Sequence, residues 1–327
     1  ILRNGNTSTR LRLMLTPLFY WRRICLCYRY YSRTLWRVPF NGKWVRVPGM
    51  DLHHMTEKTT QNRINFLANL LRIFPVSNFL GQGTRVFIKN IFPSSIRNAR
   101  ARAVETHQHL KYQGLGVEDV FSKIYEKNEW GGEEGEFYSG SGSHDPTIVT
   151  PYVSEMRVFL ASLPSMPTVV DLGSGDFNIG RHFVDMANRY YACDIVPELQ
   201  AHNREHFKFP NVDFVCLNIV EDDLPDGDVI FLRQVLQHLS NEHIQKVMDK
   251  CSKYRFWVVT EHLPADTNFK PNADINAGCG IRVLFNSGID LMKPPFNVNA
   301  PVTRVLCEVP EDSGVIRTTL FEWPYST

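Results

Sequence analysis

Thr168-Val-Val-Asp-Leu-Gly-Ser-Gly-Asp-Phe-Asn-Ile-Gly180 begins as a β-branched run, ends that run in an acid and then breaks into a glycine-rich turn. A parallel α/β sheet opens a nucleotide-type site in this way, at the carboxyl end of its first strand. Gly173 and Gly175 permit a tight turn and let a ligand approach bare backbone, while Asp171 closes the strand beside them. Any βα turn can carry glycines, so the stretch takes its meaning from what surrounds it.

Downstream, strands and helices alternate. Thr168–Leu172 is expected as a strand, with a helix over 179–188. The next strand, 190–193, ends in Asp194, and Pro197 opens a helix that reaches His206. Strands follow at 212–217, 228–232 and 256–260, with one helix from Gln234 and another over 241–253, capped by Ser240 or Asn241. Residues 303–309 and 315–323 alternate around a glycine turn and read as an antiparallel hairpin. The expected fold class is α/β, a Rossmann-like seven-stranded mostly parallel sheet with an antiparallel C-terminal hairpin.

Upstream, 117–128 has the apolar spacing of an amphipathic helix, and 150–163 that of a helix with Pro151 in its first turn. Between them, Phe137-Tyr-Ser-Gly-Ser-Gly-Ser143 reads as a loop that closes over a site rather than a bare linker. Residues 1–110 form a basic, partly helical or poorly ordered extension, with helices expected over 62–74 and 95–110. The core domain is then 111–327. Its irregular segment 264–301 holds enough apolar residues to fold and reads as a substrate cap.

Net charge is +2, yet it is unevenly spread. Residues 1–120 hold 19 Lys and Arg against 5 Asp and Glu, whereas 121–327 hold 17 against 29, so the two parts differ in role. The seven cysteines are Cys25, Cys27, Cys193, Cys216, Cys251, Cys279 and Cys307, with no C-x-x-C pair. An odd count inside apolar runs points to reduced thiols and a cytoplasmic setting. No run of 18 uncharged apolar residues exists, so no spanning helix is expected. The chain begins with Ile, which reads as a fragment or a processed form. Its basic, aromatic stretch 10–37 leaves membrane-surface contact open, though scattered Arg and Tyr favour a targeting peptide or sequence without structural role. No nucleic-acid motif is present, so nucleic acid is not an expected partner. Neither His pair has metal-ligand spacing, and no metal is expected.

Asp194, 23 residues after Asp171, is placed to accept hydrogen bonds from a ribose diol. Asn218 can read an adenine edge while Ile219 packs on its face. The ordered set VVDLGSGDFNIG, ACDIVPEL, CLNIVEDDLPDGD and FLRQVLQHLSNEHI resembles the class I S-adenosylmethionine-dependent methyltransferases, over roughly 117–323. The resemblance implies S-adenosylmethionine as cofactor. Asp171, Gly173 and Gly175 would hold its methionine part and Asp194 its ribose, with Ile195 on the adenine and Asn218 and Ile219 at the adenine edge. An Asp is commoner where Asn218 stands, and Phe177 fills a place many relatives give to glycine. Arg233 and Gln234 would lie beside the transferring methyl.

A dinucleotide oxidoreductase is the nearest competitor on this architecture. Its fingerprint needs a glycine where Asn178 stands, and Asp176 at the turn disfavours a diphosphate. A binding module that keeps the cofactor without turnover is the other alternative. The expected activity is methylation of a small-molecule or glycan-like acceptor at oxygen, which needs a base. His238, His262 and Glu261 are the candidates near the strand ends, a packed helix histidine being the competing reading of His238.

Overall fold

A computed structural model describes residues 37–40, 43–46, 110–133, 135–311 and 314–324. The helices expected over 62–74 and most of 95–110, and the basic stretch before residue 37, lie outside them. The chain divides into two compact units, 1–63 and 64–327. In the first, β1 (Arg37–Phe40) and β2 (Lys43–Arg46) pair antiparallel, a hairpin the sequence pattern did not signal.

The described part of the second unit includes helix α1 (Val117–Glu126), the four-residue turn α2 (Ser141–His144) and helix α3 (Pro146–Ala161). The sheet strands are β3 (Thr168–Leu172), β4 (Arg189–Asp194), β5 (Val212–Cys216), β6 (Val229–Arg233), β7 (Phe256–Pro264), β8 (Val302–Glu311) and β9 (Gly314–Glu322). Helix α4 (Pro197–His206) links β4 to β5, and α5 (Asn241–Cys251) precedes β7. Their order across the sheet is β5-β4-β3-β6-β7-β9-β8. The first five strands are parallel and β9 is antiparallel to both neighbours.

Alternation along each strand feeds two cores. Val170, Leu172, Ile230 and Leu232 join the layer of α1, α4 and α5, while Val169, Val229 and Phe231 face α3. The central strands β3, β6 and β7 are therefore buried along nearly their whole length, as a sheet covered on both faces requires, while β8 at the edge is largely exposed.

Three elements depart from their expected form. Helix α3 starts at Pro146, capped by Asp145, whose side chain accepts from Thr147 N, so Pro151 lies inside the helix on its exposed side. An N-cap acid followed by proline at N1 is the stronger start signal. No α-helix follows β3; two 3-10 turns, Gly180–His182 and Val184–Met186, stand there instead. Their carbonyls have partners from elsewhere: Arg157 donates to His182 O, and Asn211 to Val184 O and Ala187 O. With those acceptors satisfied, i→i+4 bonding is not needed to bury the segment. After β6, similarly, a 3-10 turn (Leu236–His238) stands in place of a helix.

Phe177 adopts φ +60°, a left-handed backbone that ordinarily calls for glycine. Its fully buried ring packs on Phe214, Phe207 and Tyr190 with centroids 4.9, 5.2 and 5.6 Å away. That packing outweighs a backbone cost of about 1–3 kcal/mol.

The cap segment is folded. Asn272 joins both its limbs, donating to Asp290 O and Pro294 O and accepting from Asp290 N, around buried Ile275, Ile289, Leu291 and Phe296. Among the described residues, no helix is long and apolar enough to cross a membrane, and no cluster of three metal-ligating side chains occurs.

Candidate functional site

The sheet's neighbours run off in opposite directions on either side of β3 and β6, and open α/β sheets bind ligands outside the strand ends at that switch. A cleft of about 440 Å³ occupies this place, within the usual size of small-molecule sites. All nine residues expected to hold the cofactor line it, as do His238 and His262; Glu261 does not.

The glycine turn is built for close approach. Gly173 N and Ser174 N both donate to Cys193 O, at 2.8 and 2.9 Å, which ties the turn to β4. Gly173 and Gly175 have φ of +81° and +57°; a Cβ on them would stand 2.4 Å from Val235 and Ser139 side-chain atoms. Only glycine fits at either position.

Asp171 and Asp194 are both buried on the cleft wall. Asp171 Oδ2 accepts from the Tyr190 hydroxyl at 2.8 Å. Asp194 accepts from Gly175 N at 3.0 Å and Val196 N at 3.2 Å, and each oxygen keeps a second lone-pair direction. Burial pushes Asp171 up to about 7 and Asp194 up to about 6, against the pull of their hydrogen-bond donors. The Asn218 carboxamide oxygen accepts from Val220 N, which fixes the loop after β5 with Ile219 buried beside it.

Arg233 and Gln234 reach the cleft but serve the stretch above it. The Arg233 guanidinium stacks 4.7 Å over Tyr152 and donates to Gly142 O and Ser143 Oγ. Gln234, at φ +56°, lies so close to Gly142 that a Cβ there would meet its carboxamide at 2.3 Å. Asp176 holds the same stretch: its Oδ2 accepts from Ser139 N at 2.8 Å and contacts His144 Nε2 at 2.6 Å. Residues 137–144 are thus pinned across the glycine turn, as a closing loop requires rather than a bare linker.

The three candidate bases separate clearly. Strand β7 continues to Pro264, past the expected end at 260, so Glu261 and His262 point to opposite faces. Glu261 turns from the cleft and its Oε1 accepts from Leu236 N at 3.1 Å, which makes it a support of the 236–238 turn. His238 is tied on both nitrogens, to Gly278 O at 3.1 Å and to the Gln237 carboxamide at 3.2 Å. Burial pushes it down to about 4, so it is a neutral cleft wall and a poor proton acceptor. His262, 6% exposed, contacts Glu311 Oε2 through its Nε2 at 3.1 Å, and both line the cleft. A carboxylate on one ring nitrogen fixes the orientation of the imidazole.

Sequence reading had given no site role to Glu311, Gln237 or Tyr152, and had placed Ser139 only within the loop over the site. Glu311 lies 49 residues after His262, and only the β7-β9-β8 register brings them together.

Residues 169–254 match a family model described as a methyltransferase domain. No curated protein matches the chain. Solved structures with a similar fold include DhpI in complex with SAH, at 15% identity and TM-score 0.42 over 64% of this chain and 98% of that one. Another is human N-acetylserotonin methyltransferase in complex with SAM, at 16% identity and TM-score 0.42 over 73% of this chain and 70% of that one. A third is the Burkholderia thailandensis 1,6-didemethyltoxoflavin-N1-methyltransferase with bound 1,6-didemethyltoxoflavin and S-adenosylhomocysteine, at 14% identity and TM-score 0.42 over 64% and 88%.

Proposed function

The chain carries a class I S-adenosylmethionine-dependent methyltransferase domain, and from that premise we propose that it methylates a hydroxyl of a small polar or glycan-like molecule, with His262 taking the proton. The observation that carries this reading is the 3.1 Å pairing of His262 with Glu311 in the same cleft as the glycine turn and the two buried aspartates.

The residues present suit the cofactor. Bare backbone at Gly173 and Gly175 lines the cleft, and the buried carboxylates beside it match a cation. When bound, S-adenosylmethionine supplies an electrophilic methyl on a positively charged sulfur. Asp194 receives the ribose hydroxyls on its remaining lone pairs, and Ile195 and Ile219 pack on the adenine. The rest is alignment, worth up to about 7–11 kcal/mol when acceptor and methyl are held in line. Glu311 Oε2 accepts from His262 Nε2 and so holds the imidazole in place as the proton acceptor for the hydroxyl.

Calorimetry with S-adenosylmethionine, S-adenosylhomocysteine and NAD tests the premise; heat with NAD alone would move the chain to the oxidoreductases. A screen of acceptors with radiolabelled methyl donor then separates an enzyme from a binding module. Asp194→Ala should weaken S-adenosylhomocysteine by about 1–3 kcal/mol, the size of lost charge-assisted hydrogen bonds. An unchanged affinity would move the ribose site elsewhere.

A pH dependence follows from the raised carboxyls. Protonation of Asp171 and Asp194 favours the unliganded fold: that contribution is full below about 4 and is lost as pH rises through 6 to 7. A bound cation favours the ionised forms, so binding releases protons. Affinity for the cationic donor should climb between about pH 5 and 8, and that for the neutral-sulfur product much less. Equal slopes in calorimetric titrations would mean the aspartates do not face the sulfonium. The unpaired thiols Cys193, Cys216, Cys251 and Cys307 support a reducing, cytoplasmic setting.

A further inference from the structure

The 236–238 turn carries two cleft residues, Gln237 and His238, and two buried side chains, Arg282 and Glu261, hold it from opposite ends. Arg282, in the cap and 1% exposed, donates its Nε to Ala273 O and turns both its terminal nitrogens to residues 236–241. Its Nη1 donates to Leu236 O at 3.2 Å and Gln237 O at 3.1 Å, and its Nη2 to Leu239 O at 2.7 Å and Asn241 Oδ1 at 3.0 Å. Glu261 Oε1 accepts from Leu236 N, while its Oε2 is buried without a hydrogen-bond partner. Burial pushes the Glu261 carboxyl up to about 8, and the Arg282 guanidinium only partly opposes that rise.

What the grip fixes is the Gln237 carboxamide. The His262 backbone N–H points at its oxygen, 3.4 Å away, so that end must accept. Its nitrogen, a donor only, then faces His238 Nε2 at 3.2 Å. His238 Nε2 must therefore accept, its proton sits on Nδ1, and Nδ1 donates to Gly278 O. The Gln237 amide on one side and the Gly278 carbonyl on the other favour the same tautomer.

We propose that Arg282 and Glu261 are positioning residues which clamp the 236–239 turn, aim the Gln237 carboxamide, and thereby hold His238 as the neutral Nδ1–H tautomer on the cleft wall. The cap thus contributes to the chemistry of the site through a guanidinium that never touches a ligand. A neutral imidazole also avoids placing a second positive charge in a cleft meant for a sulfonium. The proposal rests on the cofactor reading of the cleft given above.

Nitrogen-15 NMR of the full chain, labelled in histidine, reads the tautomer directly, and S-adenosylhomocysteine affinity is measured on the same samples. Wild type should show His238 with an unprotonated Nε2. Gln237→Leu removes the amide and leaves the clamp; Arg282→Lys removes the fork. Each should shift the tautomer ratio toward the Nε2–H form by several-fold, up to about tenfold, the weight of one hydrogen bond; Arg282→Lys, outside the cleft lining, should leave homocysteine-form affinity within about twofold. If Arg282→Lys does not fold, Glu261→Gln tests the other end of the clamp. An Nε2–H form in wild type overturns the proposal, and so does an unchanged ratio in Gln237→Leu or in the folded clamp variant. Failure to bind S-adenosylhomocysteine in wild type is a separate result, and strikes the cofactor reading instead.

Discussion

Replacing Phe177 with alanine is expected to lower stability by about 3–5 kcal/mol, the usual loss for a buried phenylalanine. The ring has no solvent exposure and is surrounded by Phe207, Phe214 and Tyr190, so the vacated space cannot be refilled from the surface. Alanine also keeps a Cβ at φ +60°, and so retains the backbone penalty without the packing that offsets it. Glycine loses the same ring but escapes that penalty, worth about 1–2 kcal/mol. The expected order in urea unfolding is therefore Phe, then Gly, then Ala. If alanine proves as stable as glycine, the left-handed backbone is not what sets this position apart. Wild-type stability in both would mean that the aromatic cluster is dispensable.

Replacing His262 with alanine is expected to reduce methyl transfer by about 10²- to 10⁴-fold, the range for a lost general base. Affinity for S-adenosylhomocysteine should stay within about twofold, because His262 lies on β7 and Asp194, the proposed ribose ligand, on β4. Glu311→Gln keeps the size of the side chain and removes its charge, so a smaller loss of turnover in the same direction is expected. A decline of only a few-fold in His262→Ala would show that the acceptor needs no base, as an amine that is already nucleophilic would not. The oxygen-acceptor reading would then fail while the cofactor site stood.

The sequence was most readable where local chemistry is strict. Thr168–Leu172 and Pro197–His206 came out with their observed ends, the first bounded by a glycine turn and the second opened by proline at N1. Asp171, Asp194 and the glycines were legible for the same reason, since strand-end acids and tight turns have fixed places in this topology. Helix form after β3 was not legible, because the choice between α and 3-10 depended on Arg157 and Asn211 reaching the carbonyls from distant segments. Nor was the division of labour between Glu261 and His262. It follows from how far β7 continues, and that depends on its pairing with β9. Glu311 was hidden too, because nothing in its neighbourhood distinguishes it from other surface acids until the hairpin folds back.

That hairpin has a consequence for how the molecule is made. β9 lies inside the sheet, between β7 and β8, although it is translated after all the parallel strands. On the ribosome, the glycine-turn side of the cleft can form as soon as β3 to β6 have emerged. The opposite wall, which takes Glu311 and Ile316 from the hairpin, waits for the last segment. During that interval β7, buried along all nine residues in the finished fold, has an unpaired edge open to another nascent chain. Chains cut short before Val302 should therefore accumulate as aggregates rather than as weakened enzymes.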